Sequence, residues 1–119
     1  MIEVESFTKN GYVVFYVKGT TILHREDGPA IIWRDGSESW YFYGKLHRDG
    51  GPASTLNGIV SYWYKNDILH RDDGPAVIHM NGEIEWWLDG DSCNKETWFK
   101  NLPEDKKLEQ LYSNYFIES

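Results

Sequence analysis

Leu23-His24-Arg25-Glu26-Asp27-Gly28-Pro29-Ala30, Leu46-His47-Arg48-Asp49-Gly50-Gly51-Pro52-Ala53 and Leu69-His70-Arg71-Asp72-Asp73-Gly74-Pro75-Ala76 are three copies of one eight-residue string, starting at positions 23, 46 and 69. An even period of 23 residues is the mark of a repeat architecture, and it governs how every other feature of the chain is read. A residue that recurs at the same place in each unit belongs first to the building plan and only then to chemistry.

The repetition reaches beyond the string. Trp40, Trp63 and Trp86 keep the same spacing, as do the aromatic residues after them, Tyr41, Tyr64 and Trp87. Between each Gly-Pro-Ala and each Trp lies a turn pair, Asp35-Gly36, Asn57-Gly58 or Asn81-Gly82. Such pairs suit type I′ hairpins, in which both central residues need φ > 0. The middle copy loses one residue before its turn and regains one after it. Each unit therefore reads as strand, tight turn, strand and connection. First strands are expected at residues 30–34, 53–56 and 76–80, and second strands at 38–43, 60–65 and 83–88, from their β-branched and aromatic content. Pro29, Pro52 and Pro75 precede the first strands, where a missing N–H is tolerated. Further turns are expected at Tyr43-Gly44-Lys45, Lys65-Asn66-Asp67 and Asp89-Gly90-Asp91. Alternation puts Trp40, Trp63 and Trp86 on one sheet face and Tyr41, Tyr64 and Trp87 on the other; which stripe is covered stays open.

The flanks differ from the repeats. Residues 2–4 and 12–17 bracket Lys9-Asn10-Gly11, so residues 1–21 read as an N-terminal capping hairpin, a degenerate unit. Residues 22–91 hold the three repeats. Residues 92–119 read as a helical cap: Asn94 N-caps a short helix to about Asn101, and Pro103 opens a second. Leu108, Leu111, Tyr112, Tyr115 and Phe116 fall on one face of that second helix, which predicts a buried side. The whole, residues 1–119, is one mainly β domain: an elongated antiparallel sheet of repeated hairpins with a C-terminal helical cap.

These motifs resemble MORN-type repeats, which also run 23 residues and place aromatics, glycines and a hairpin turn in this order. The closer likeness is to a His-Arg-acid-x-Gly-Pro-Ala variant in small bacterial and phage proteins, and some related bacterial families are labelled antitoxins. The resemblance covers residues 16–91. It departs from the usual pattern in placing Pro-Ala where Gly-x-Gly often stands. It implies a sheet of successive hairpins used mainly to bind proteins, or in some cases lipids, and no common catalytic chemistry.

Composition narrows the function classes. The net charge is −7, from 19 acidic and 12 basic residues, which weighs against nucleic acid as a partner. Aromatics make up 16 % of the chain, as suits a sheet with large cross-strand pairs. Cys93 is the only cysteine, so no intramolecular disulfide and no Cys-based metal motif is expected. No apolar run approaches the roughly 18 residues of a membrane span. The start, Met1-Ile2-Glu3-Val4-Glu5, lacks a secretory pattern. A cytoplasmic protein is expected, in the bacterial host if phage-encoded.

The His-Arg-acid strings invite an active-site reading, and their spacing argues against it. If each unit adds two strands, equivalent residues lie about 10 Å apart. Zinc ligands must each come within about 2.1 Å of the ion, so His24, His47 and His70 do not share one. No Ser, Thr or Cys nucleophile recurs beside the motif, and no phosphate-binding glycine loop appears. The histidines and prolines are read as structural, the protein as a non-enzyme, and neither metal nor cofactor is called for. Candidate binding residues are the aromatics Tyr41, Tyr43, Tyr62, Tyr64 and Trp87 with Arg25, Arg48 and Arg71, since aromatics and Arg dominate binding hot spots. The leading expectation is a protein partner, such as a basic host enzyme that the chain inhibits. The alternative is a nucleotide or sugar held by aromatic stacking and the arginines. Homo-oligomers through an open sheet edge are a further option.

Overall fold

The computed structural model describes residues 2–112. β1 (Val4–Lys9) and β2 (Tyr12–Val17) pair antiparallel from Val4↔Val17 to Lys9↔Tyr12. The two-residue turn Asn10-Gly11 has φ of 51° and 83°, so the ladder runs right up to it. β1 is longer than residues 2–4. Its polar Glu5, Ser6, Thr8 and Lys9 hid it from a hydrophobic reading, and polar side chains are what an exposed edge strand carries.

Three hairpins follow in the same sheet: β3 (Ile31–Ile32) with β4 (Glu38–Ser39), then, beyond β5 (Tyr41–Phe42) and β6 (Lys45–Leu46), β7 (Ser54–Leu56) with β8 (Val60–Tyr62). After β9 (Tyr64–Lys65) and β10 (Ile68–Leu69), β11 (Val77–His79) pairs with β12 (Ile84–Leu88), and β13 (Asp91–Cys93) closes the row. The nine-stranded sheet has the order β1-β2-β3-β4-β7-β8-β11-β12-β13, while β5–β6 and β9–β10 form separate two-stranded pairs. The described fold is thus mainly β, a large antiparallel sheet of hairpins with two short C-terminal helices. Its principal extents are 47 × 30 × 22 Å.

The second strands expected at 38–43 and 60–65 each break at a tryptophan. Trp40 sends its N–H to the Ala53 carbonyl (2.6 Å) and takes the His47 N–H on its own carbonyl (3.0 Å). Trp63 does the same with Ala76 (2.8 Å) and His70 (3.1 Å). Each Trp therefore divides its backbone between two segments, and the chain bends there into the smaller ladder. Trp86 keeps to one strand, β12, and the sequence pattern does not distinguish it from the other two.

Turn chemistry also departs from expectation. Of the three hairpin turns, only Asn57-Gly58 has both φ values positive, at 47° and 73°. At the other two only Gly36 (90°) and Gly82 (94°) are left-handed. There Asp35 and Asn81 accept the Ser37 and Glu83 N–H groups, each at 2.9 Å, as Asx turns do. These bonds from Ser37 hold the Asp35 carboxyl below its ordinary range. Register is untouched by the shift: Ile31↔Ser39, Ser54↔Tyr62 and Val77↔Glu85 are equivalent pairs. A pair of positive φ values also occurs in each connection, at Tyr43-Gly44 (48°, 83°), Asn66-Asp67 (50°, 69°) and Asp89-Gly90 (49°, 85°).

The core is thin. Ala30, Ala53 and Ala76 are fully buried, each bonded on both sides to neighbouring strands. Val14, Ile31 and Val77 lie on one sheet face, as the register Val14↔Ile31 and its continuation require. Among the described residues a buried apolar cluster forms toward the C-terminal end, where Trp86 meets Trp98 and Leu102, with Leu88, Cys93 and Phe99 around them.

α1 (Lys95–Lys100) starts where expected: the Asn94 side chain accepts from Thr97 N–H at 2.8 Å, a standard N-cap. α2 (Glu104–Leu111) has Pro103 as its N-cap, one position earlier than first helical. Its expected apolar face is not buried among the described residues: Leu108, Leu111 and Tyr112 are 61 %, 52 % and 81 % exposed. The face turned inward carries Lys106, Lys107 and Gln110, which at about 100° per residue lies almost opposite. Tyr115 and Phe116 lie outside the described residues. Among the described residues no helix is long and apolar enough to cross a membrane.

Candidate functional site

Each His-Arg loop is built by the same contacts. The histidine Nδ1 accepts a backbone N–H from the turn of the next connection: His24 from Tyr43 (2.9 Å), His47 from Asn66 (3.2 Å) and His70 from Asp89 (3.0 Å). An accepting Nδ1 leaves the proton on Nε2. That nitrogen faces Glu26 Oε1 at 3.8 Å in the first loop, too long for a hydrogen bond, and Asp49 Oδ1 at 3.2 Å in the second. The histidines are struts between successive connections. Among the described residues no three His, Cys, Asp or Glu side chains converge to hold a metal ion.

The arginines point back instead of out. Arg25 lies 4.0 Å over the Phe15 ring, Arg48 3.9 Å over Trp40 and Arg71 4.1 Å over Trp63. Their Nη1 atoms donate to the carbonyls of Pro29, Pro52 and Pro75 at 3.1, 3.2 and 2.9 Å. Arg25 and Arg71 also bind Asp27 and Asp73 through Nε, at 3.1 and 2.7 Å. Asp27 and Asp73 therefore pair with the side chain of their own loop's arginine. The sequence reading missed this stack. The signal was present in the aromatic ahead of each His-Arg pair, with Phe15-Tyr16 standing ahead of the first.

Close packing explains one glycine of the motif. A Cβ on Gly51 would stand 2.8 Å from Arg48 Cζ, and one on Gly28 2.6 Å from Arg25 Cζ. Gly51→Ala is expected to push the guanidinium off Trp40. The lost stack and carbonyl bond should cost about 1–2 kcal/mol, visible as a lower urea midpoint and a change in Trp fluorescence. A midpoint equal to wild type would show that Arg48 is not held there.

The candidate aromatics divide into three groups. Tyr41, Tyr62 and Tyr64 come together. Tyr62 and Tyr64 rings are 6.3 Å apart. Burial first, then the Asp67 charge, raises the Tyr41 hydroxyl, while burial, Tyr62, Asp67 and Tyr41 raise that of Tyr64. Tyr43 lies elsewhere, on its turn, with its ring 4.2 Å from His24 and 4.8 Å from Phe42. Trp87 gives its Nε1–H to Glu85 (3.0 Å), whose other oxygen meets His79 Nε2 at 3.2 Å. Hydrogen bonds from His79 and Trp87 hold the Glu85 carboxyl below its usual range.

Grooves separate successive loops. The larger, about 390 Å³, lies between the second and third and is lined by Arg48, Trp63, Tyr64, His70, Arg71 and Lys106 among others. One of about 280 Å³ lies between the first and second, at Arg25, Trp40, His47 and Asp49. Lys106 is brought there from α2, and the charges of Asp72 and Glu109 raise its ammonium pKa. Cys93 pairs with Trp86 in β13, and burial, then Asp91, pushes its thiol up, away from the reactive thiolate.

The chain matches no family model, no curated protein and no solved structure.

Proposed function

We propose that the chain is a non-enzymatic protein-binding module, a MORN-like array of hairpin repeats that engages and inhibits a bacterial enzyme in the manner of an antitoxin. The observation that carries this reading is the Tyr41–Tyr62–Tyr64 cluster. Trp98 and Phe99 of α1 and the following Leu102 pack on Trp86, Leu88 and Cys93, away from the tyrosines, which are left half-buried with Tyr64 lining an open groove. Half-buried tyrosines offer large, stiff contact area at low entropic cost, which is why they anchor interfaces. The net charge of −7 favours a basic target. The nucleotide reading has less support, because Arg25 and Arg71 are already paired with Asp27 and Asp73.

The test is capture from bacterial lysate on immobilised protein, compared with a Tyr41→Ala/Tyr64→Ala variant whose melting is checked first. The expected result is a retained basic protein that the variant holds at least about tenfold more weakly, as loss of hot-spot residues dictates. Equal retention by wild type and variant, or no protein above background across a salt series, overturns the proposal. Native mass spectrometry that finds a retained nucleotide or sugar would favour the small-ligand alternative.

A further inference from the structure

The second loop breaks the symmetry of the other two at one atom. In the first and third, the arginine Nε is closed by a carboxylate, Asp27 or Asp73, two residues further on. The second loop has Gly50 in that place. Everything else that positions the guanidinium is kept: the ring stack at 3.9 Å, the Pro52 carbonyl at 3.2 Å, and Gly51 packed beneath. Gly50 has φ of +82°, a left-handed torsion that Asp27 and Asp73 do not share, and a Cβ built there meets nothing within 4 Å, so no side chain of the second loop occupies the space around it.

The charges around this space point the same way. Arg48, Lys65, Arg71 and Lys106 line the groove with Asp49, Asp72 and Asp73, four cations against three carboxylates. Each of the acids has a cationic or imidazole neighbour: Asp73 pairs with Arg71, Asp49 faces His47, and Asp72 acts on Lys106. Among the described residues Arg48 and Lys65 have no carboxylate within 4.0 Å. A guanidinium pinned on one face and at one edge, with Nε free, is preorganised for a planar oxyanion.

We propose that this groove binds a carboxylate, taken on the Nε edge of Arg48 in the place that Asp27 and Asp73 fill beside Arg25 and Arg71. The site stands on the loop geometry alone. It rests on the protein-binding reading only for the expected source of the carboxylate, an acidic side chain of a polypeptide.

The test is a titration of purified full-length protein followed at the Arg48 Nε–H resonance, assigned by its disappearance in Arg48→Lys. The probes are acetate, the blocked peptide acetyl-Gly-Asp-Gly-amide, its Asn analogue and inorganic phosphate. The expected result is a saturable shift with acetate and the Asp peptide, at a dissociation constant on the order of 10 mM, and none with the Asn peptide. A peptide bound at least about tenfold more tightly than acetate assigns the carboxylate to a polypeptide; equal affinities assign it to a free small acid. In Gly50→Asp the Arg48 signal should sit at a paired position before any addition and stop responding. Gly50→Asn makes the same backbone demand without the charge and should respond as wild type. No shift with either carboxylate, an equal shift with the Asn peptide or phosphate, or an unchanged response in Gly50→Asp overturns the proposal. Should Gly50→Asp fail to fold, the wild-type comparison of Asp and Asn peptides decides. Because no lysate is involved, this outcome is independent of whether a partner is captured.

Discussion

Trp98→Ala is expected to lower stability by about 3–5 kcal/mol, the largest effect of any single substitution considered for this chain. Trp98 is fully buried, its ring centroid 4.6 Å from that of Trp86. Its Nε1–H donates to the Arg71 carbonyl at 2.8 Å, which ties α1 to the third His-Arg loop. In the earlier units an arginine guanidinium covers the tryptophan from the next loop. At the corresponding place after Trp86 the chain carries Asn94, which caps the helix instead, and Trp98 packs against Trp86 with Lys95 Nζ 6.0 Å from the ring. Truncation would open a cavity and leave a carbonyl unpaired, a large part of the 5–15 kcal/mol typical of a whole domain. Trp98→Phe restores most of the ring but not the donor, and should cost about 1–2 kcal/mol. Urea unfolding checks both. A loss below about 1 kcal/mol for Trp98→Ala would mean that the helical end is not integrated with the sheet.

His24→Ala is the second large effect, expected at about 2–4 kcal/mol. The side chain has no exposed surface, its ring lies tilted against those of Tyr43 and Phe42 with centroids 4.2 and 5.0 Å away, and its Nδ1 is the acceptor for Tyr43 N–H. Removing it leaves a void and an unpaired N–H at a residue already held at φ of 48°, a torsion that an aromatic residue adopts only under constraint. The same substitution at His47 or His70 should cost about 1 kcal/mol, because those side chains are 15 % and 17 % exposed and water can reach the freed amide. Thermal melts of the three variants test the order. Equal losses would show that burial at His24 adds nothing to the strut; wild-type melting in all three, with a lost ligand, would return the histidines to a binding role.

Much of the molecule was legible because local rules and tertiary demands agree. Alternation and turn residues placed all three hairpins, and Asn94 marked the start of α1 to the residue. The candidate site was legible only in its residue types. The sequence names Tyr41, Tyr43, Tyr62, Tyr64 and Trp87 together, whereas in the structure Tyr62 and Tyr64 are neighbours, Tyr41 acts on Tyr64, and Tyr43 and Trp87 are each held elsewhere. The arginines were named as candidate binding residues, and nothing in a one-dimensional pattern shows that a guanidinium folds back over the ring of the preceding unit. The exposed Leu108, Leu111 and Tyr112 show the converse: a periodic apolar row states what a helix could bury, not whether a surface is there to receive it.

By itself the sequence determined the mainly β class and where the three hairpins lie, since alternation and short connections are local. Only the tertiary structure decided where the strands break, which rings the arginines cover and where a guanidinium is left with a free edge. Those outcomes depend on contacts between units, and such contacts are set by how successive hairpins stack in space. Gly50 shows the difference most plainly: in the sequence it is a lapse in a motif, and in the structure it leaves the Arg48 Nε without the carboxylate that Arg25 and Arg71 have.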